Sequence, residues 1–272
     1  MSAPAVAAPR WAEALAALPR VGLDELQDVA ALQTRVDRKY VLALDALPDL
    51  AAALPAGTRR LVLDDRDAFG YESVYFDTPD LEAFRLAAGR RRRRYKVRTR
   101  TYCDTGGCWL EVKTRGPRST TVKERREHDL AARADVGDSL EFVLGTLRAR
   151  GLPVDDLDLA PTLTTRYRRR TLLLPDGART TVDTDLQWLA TGPAGGADPA
   201  DGADGDTRSA GVPGHAVVET KSVGGASAAD RVLWSLGHRP ARISKYATGL
   251  VVLDPSLADR PWRRTVRHAL RA

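Results

Sequence analysis

The chain is poor in the residues that build cross-linked or metal-stapled domains. Its two cysteines, Cys103 and Cys108, cannot form a disulfide framework or supply a four-ligand zinc site alone, and they read as reduced thiols flanking a Gly-Gly turn. No apolar run approaches the roughly 20 residues of a spanning helix, so no membrane span is expected. The start, Met1 to Pro9, is rich in alanine and proline with no basic n-region, which reads as no signal peptide and a cytoplasmic location. His128, His215, His238 and His268 are scattered and offer no dyad for proton transfer; each reads as structural or solvated. A hydrophobic content of 43% with 29% charge excludes a wholly disordered or collagen-like chain. At 272 residues, one large domain is the expectation.

Lysine is scarce as well. Of the 42 lysines and arginines only six are lysine, namely Lys39, Lys96, Lys113, Lys123, Lys221 and Lys245. In so arginine-rich a chain, those positions read as places that need a compact ammonium. Glutamate is nearly as rare, yet Glu111 and Lys113, and again Glu219 and Lys221, repeat one Glu-x-Lys unit in two strand-like segments. No other internal repeat is evident.

The first 20 residues read as a flexible arm with a short helix over 11–18, followed by a single domain over 21–272. Apolar spacing predicts helices over 22–33, 45–54, 79–87, 138–150, 228–236 and 262–270. Period-2 alternation bounded by Gly, Pro or Asp predicts strands over 34–42, 72–77, 94–102, 108–115, 119–126, 163–174, 178–186 and 215–222. The stretch 191–214 is Gly-, Ala- and Asp-rich and reads as a disordered loop. The fold class is therefore α+β, with about eight mostly antiparallel strands flanked by helices.

Alternate strand residues share a face. Sorted this way, Arg35, Asp37 and Lys39 fall together, as do Arg94, Lys96, Arg98 and Arg100. So do Glu111, Lys113 and Arg115; Lys123 and Arg125; Arg166 and Arg168; Arg179, Thr181 and Asp183; and Glu219 and Lys221. The plain alternative is a solvated polar face, but such faces mix signs, because like charges opposite one another weaken pairing. Here cations greatly outnumber Asp37, Glu111, Asp183 and Glu219. Two cations about 6 Å apart repel by about 2 to 3 kcal/mol at an effective dielectric near 20, so the surface suits a polyanion. A barrel of about eight strands would enclose room for one slender ligand.

The ordered series Asp37-Arg38-Lys39-Tyr40, Tyr75-Phe76-Asp77-Thr78, Lys96-Val97-Arg98-Thr99-Arg100, Leu110-Glu111-Val112-Lys113, Val122-Lys123-Glu124-Arg125, Arg166-Tyr167, Val182-Asp183-Thr184-Asp185, Val218-Glu219-Thr220-Lys221 and Ser244-Lys245-Tyr246 resembles the VTC (vacuolar transporter chaperone) polyphosphate polymerase domain. That family is a branch of the CYTH-like triphosphate tunnel metalloenzymes, and the resemblance covers about residues 33 to 250. It implies a tunnel of antiparallel strands with a cationic interior, holding ATP or another triphosphate and inorganic polyphosphate. Carried over, the phosphate cradle is Lys39, Arg98, Arg100, Lys113, Lys123, Arg166, Arg179 and Lys245, joined by Lys221 through its pairing with Glu219. Lys96 shares their face with less weight. The resemblance further implies Mn²⁺ or Mg²⁺ on Glu219, helped by Glu111.

The implied activity is metal-dependent transfer of the terminal phosphoryl group of ATP to a growing polyphosphate chain. Hydrolysis of triphosphate or polyphosphate, and polyphosphate binding without catalysis, remain alternatives. Hydrolytic relatives begin with Glu-x-Glu-x-Lys, where this chain reads Arg35-x-Asp37-x-Lys39, which leaves less for a second metal or a positioned water. Eukaryotic relatives also carry a phosphate-sensing domain and membrane helices, so regulation and transport do not follow from the resemblance. The Arg90–Arg94 run reads as a solvated approach to a strand, and no nucleic-acid partner is expected.

Overall fold

A computed structural model describes residues 8–29, 36–116, 121–152, 154, 156–191, 208–258 and 260–269. In chain order the elements are α1 (Arg10–Ala16), β1 (Arg20–Val21), α2 (Leu23–Val29), β2 (Val36–Ala43), α3 (Leu47–Ala53), β3 (Arg59–Leu61), β4 (Phe69–Asp77) and α4 (Glu82–Ala88). They continue with β5 (Tyr95–Tyr102), β6 (Cys108–Arg115), β7 (Thr121–Glu127), α5 (Leu140–Ala149), β8 (Ala160–Leu173) and β9 (Arg179–Ala190). The last are β10 (Ser209–Gly211), β11 (His215–Ser222), α6 (Ala228–Ser235), α7 (Lys245–Leu253) and α8 (Arg263–Ala269).

The hydrogen-bonded order is β2-β11-β9-β8-β4-β5-β6-β7, with β1, β3 and β10 attached beside it. The α+β class with a large antiparallel sheet is as expected. The closed barrel is not: among the described residues β2 and β7 end the order without pairing. No helix of the described residues is long and apolar enough to cross a membrane.

The chain divides into two compact units. The first comprises Met1–Ala68, Arg169–Thr184 and Pro213–Ala241. In it β11 pairs antiparallel with β2 on one side and β9 on the other, with Glu219 opposite both Lys39 and Thr181. The even-numbered residues Tyr40, Leu42, Val182, Ala216 and Val218 point into a core closed by Leu47 and Leu50 of α3 and Ala229 and Leu233 of α6. Leu15 of α1 is buried there too, with Trp11, Ala14 and Leu18 packed against it. The expected loose arm is therefore corrected for residues 10–18, whose apolar side chains find a core to fill.

Ser227 caps α6 in a reciprocal box with Asp230, and Asp230 does more than cap. Its carboxylate accepts from Tyr40 Oη at 2.6 Å, Thr220 Oγ1 at 2.6 Å and Arg38 Nη1 at 3.2 Å. Burial works to raise the Asp230 carboxyl, and the bonds from Thr220, Tyr40 and Ser227 outweigh it and hold it low. One acid thus fastens β2 and β11 to α6 from behind.

The second unit comprises Phe69–Arg168, Asp185–Val212 and Arg242–Ala272. Here β4, β5, β6 and β7 form an antiparallel meander. Val74, Phe76, Tyr95, Val97, Leu110 and Val112 line one face and pack on Val143, Leu144 and Leu147, the apolar stripe of α5. Tyr246 of α7 stacks on Tyr75 at 5.1 Å, and its hydroxyl donates to Asp77, which also accepts from the Ala83 and Phe84 amides at the start of α4. Trp188 donates to the Lys245 carbonyl at 2.6 Å.

Residues 192–207 of the stretch 191–214 lie outside the described residues. Its end is not loop: Ser209–Gly211 pairs with β9, and Val212 is buried.

Candidate functional site

In each unit the strand face turned away from the core carries the charge. On the first, Lys39 and Asp37 of β2 lie beside Glu219 and Lys221 of β11, and Arg179, Thr181 and Asp183 of β9 follow. Glu219 pairs with Lys39 at 3.1 Å through one oxygen and with Lys221 at 3.4 Å through the other. Glu219 is the chief reason the Lys39 ammonium stands above its usual range, against the opposing effect of burial. Arg169 holds Asp183 with two charge-assisted bonds of 2.6 and 2.8 Å. Thr181 Oγ1 is buried with no partner among the described residues. Arg35 lies outside the described residues.

On the second unit the register stacks cations in rungs across β5, β6 and β7. Lys96 faces Lys113, and Lys113 faces Lys123. The next rung runs Arg98, Glu111, Arg125, and Tyr75 of β4 sits opposite Arg98. Lys96 Nζ donates to Ser244 Oγ, the N-cap of α7, at 2.7 Å. Lys245 places its ammonium 4.4 Å from the centre of the Tyr167 ring, and Arg100 lies over Tyr71 at 5.6 Å. Ser73 Oγ, Thr165 Oγ1 and Arg100 Nε are buried without partners among the described residues. The second unit thus holds both buried donors without partners among the described residues and lysines in cross-strand register.

Glu111 occupies a different role from the metal ligand expected of it. One of its oxygens accepts from Arg98 Nε and Nη2 at 2.9 and 2.6 Å, the other from Lys123 at 3.3 Å, and its side chain is 1% exposed. Burial alone would raise this carboxyl, yet Arg98, with Arg100, Lys113 and Lys123, holds it well below the usual carboxylate range. It is the counter-ion that lets Arg98 be buried.

Nor do three or more His, Cys, Asp or Glu side chains gather as metal ligands among the described residues. A cage made by protein alone does not fit. What would fit is an ion carried mainly by phosphate oxygens with one carboxylate ligand, the usual habit of Mg²⁺, and Glu219, at 13% side-chain exposure and paired with Lys39 and Lys221, would be that carboxylate.

The structure brings Lys39, Arg179 and Lys221 together in the first unit, and Arg98, Arg100, Lys113, Lys123 and Lys245 on one side of the second. It corrects Arg166. That side chain is 56% exposed and pairs with Glu72 at 2.8 Å, on the face opposite Tyr167. Within β8 the neighbours Tyr167 and Arg169 point toward the charged faces instead, and Arg169 was not among the expected residues. Alternation could have found it through Asp183, its partner on β9. Lys96 belongs fully to the lysine rung.

No curated protein matches the chain by sequence. Among solved structures, it is similar to a candidate adenylate cyclase of Vibrio parahaemolyticus, at 15% identity over 80% of this chain and 98% of that one, with a TM-score of 0.41. A candidate adenylate cyclase of Bacillus halodurans is similar at 12% identity over 79% and 96%, TM-score 0.46. A third, from Hippeastrum, has a dominant triphosphatase activity and is similar at 16% identity over 80% and 95%, TM-score 0.43. Likenesses so distant assign nothing to this chain. The VTC domain model, in contrast, matches residues 34–254, from the residues leading into β2 to the end of α7, and so takes in every charged strand described above. The chain belongs to the VTC domain family.

Proposed function

We propose that this protein is a metal-dependent polyphosphate polymerase that transfers the terminal phosphoryl group of ATP to a growing polyphosphate chain. The observation that carries the reading is the rung Lys96, Lys113, Lys123, three ammonium groups in direct cross-strand register. Ammonium groups about 6 Å apart repel by about 2 to 3 kcal/mol at an effective dielectric near 20. Like charges held in register favour a ligand with closely spaced negative charge.

Phosphoryl transfer asks the protein for positioning and charge neutralisation more than for covalent chemistry. Lys96, Lys113, Lys123, Arg98, Arg100 and Lys245 bind phosphate oxygens in the second unit; Lys39, Arg169, Arg179 and Lys221 do so in the first. With Lys39 and Lys221 drawn toward phosphate oxygens, Glu219 would hold Mn²⁺ or Mg²⁺, which when bound would neutralise the charge that builds on the phosphates. A terminal oxygen of the chain forms the new bond to the γ-phosphorus, the bond to ADP breaks, and ADP leaves with the electron pair. The attacking phosphate is already ionised near neutral pH, so no histidine base is needed.

Incubation of the purified chain with ATP and Mn²⁺ tests this. Long, phosphatase-sensitive polymer is expected; free phosphate alone would mean a hydrolase, and neither product a binding module. Glu219→Gln should abolish metal-dependent turnover and spare most triphosphate binding, because it removes an anionic ligand and no cation. Full activity in that variant would remove Glu219 from the metal.

A further inference from the structure

The Arg90–Arg94 run lies outside the site just described, in the turn between α4 and β5. Arg90 adopts a left-handed φ of 52°, and its amide and that of Arg91 close back on the Ala87 and Leu86 carbonyls. The reversal leaves Arg90, Arg91, Arg92 and Arg93 exposed. Arg94 folds back, with Nη1 donating to the Arg91 carbonyl at 2.8 Å.

Several other surface arginines of this unit sit on acids: Arg85 on Asp80, Arg133 on Glu72, Arg150 on Glu124. Among the described residues Arg90, Arg91, Arg92, Arg93 and Arg115 form no ion pair. Arg94 precedes Lys96 by two positions and Arg115 follows Lys113 by two, so both share the face of the lysine rung, one step of about 7 Å farther along the strands. Arg115 adds its repulsion to burial in pulling the Arg94 guanidinium below its usual range. A file of cations therefore leads from the Lys96 rung, over Arg94 and Arg115, out to the exposed turn.

We propose that Arg90–Arg94 and Arg115 form an outer station for the already-polymerised part of the polyphosphate chain, setting how long a product is retained. This rests on the polymerase reading above. A polymer of phosphate without bases fits better than single-stranded nucleic acid. Nucleic acid wants exposed aromatic rings beside the cations, whereas Tyr95, the aromatic of this run, is 2% exposed with its hydroxyl on Glu82.

The test is the triple variant Arg91→Gln, Arg92→Gln, Arg93→Gln, all exposed positions. Binding of tripolyphosphate, of long inorganic polyphosphate and of a single-stranded oligonucleotide is titrated across salt concentrations. Tripolyphosphate affinity should stay within about twofold, while long polyphosphate should bind at least about tenfold more weakly at low salt, with a salt slope reduced by about 2. In the ATP reaction the products should be shorter. An unchanged long-chain affinity and slope, or equal loss for tripolyphosphate and long polymer, overturns the proposal. So does an oligonucleotide bound by the parent as tightly as polyphosphate and lost in parallel, which would make the station a nucleic-acid site. If the parent makes no polymer yet the variant loses long-chain binding selectively, the polymerase reading fails and the station remains as a binding site. If polymer forms and binding does not change, the station fails alone.

Discussion

Glu111→Gln separates a structural carboxylate from a metal ligand. In the parent, the Glu111 and Arg98 side chains are 1% and 7% exposed and share two hydrogen bonds, with Lys123 on the other oxygen. Glutamine keeps the shape and one acceptor but removes the charge, which leaves a buried guanidinium uncompensated among Arg100, Lys113 and Lys123. Breaking such a pair from one side costs about 3 to 5 kcal/mol. For a chain of this length each kcal/mol moves the melting point by about 2 to 4 °C, so the variant should melt roughly 6 to 20 °C lower. Because the folded carboxyl titrates below its unfolded value, its contribution is complete above the unfolded pKa and fades as pH falls below it. The gap in melting temperature should be flat above about pH 5 and narrow below about pH 4. Tripolyphosphate should recover part of the loss, since phosphate oxygens can replace the missing anion. Scanning calorimetry from pH 3 to about pH 8, with and without tripolyphosphate, measures all three effects. A variant that melts within about 2 °C of the parent but loses metal-dependent turnover would refute the counter-ion assignment and restore Glu111 as a ligand.

Tripolyphosphate at about 100 times its dissociation constant should raise the parent's melting point by roughly 5 to 10 °C, beyond chloride at matched ionic strength; an equal effect of the two salts would reduce the charged faces to screened surface. Gly249→Ala should destabilise by about 1 to 3 kcal/mol in denaturant titration, because the new methyl would collide with the Trp188 ring in a buried site; wild-type stability would mean that Trp188 has room to move. Lys39 should titrate above the ordinary lysine range when followed by NMR, and its contribution to stability, complete below the unfolded pKa, should be lost as pH rises through the folded one. In Glu219→Gln that midpoint should fall, and an unchanged value would break the assigned pair.

How far the sequence could be read depended on how much each segment alternates. The stretch Asp37-Arg38-Lys39-Tyr40 sorts cleanly by parity, and the structure sends Asp37 and Lys39 to the charged face and Arg38 and Tyr40 to Asp230. Around Tyr167 the run Arg166 to Arg170 places an arginine on both faces, so parity within β8 cannot choose between them, and only Asp183, the partner on β9, separates Arg169 from Arg166. Helix α7 escaped notice because Tyr246 to Val251 are all buried, which erases the 3.6-residue stripe. Lys245 was nonetheless reached through the family motif. The two- and three-residue strands β1, β3 and β10 are too short to leave a period. Closure of the barrel was the overreach: alternation reports which side of a strand is wet and says nothing about whether the first strand meets the last.

The double duty of β2 bears on how this protein tolerates change in length. Its charged-face and anchor residues are interleaved one by one, so a substitution on either set leaves the other in place. A one-residue deletion between Val36 and Tyr40 would exchange the sets, turning an ammonium toward Asp230 and a tyrosine toward Glu219. Insertions and deletions in this strand should therefore be excluded even where single replacements survive, and a library that varies segment length should recover functional variants with altered connections but never with an altered β2.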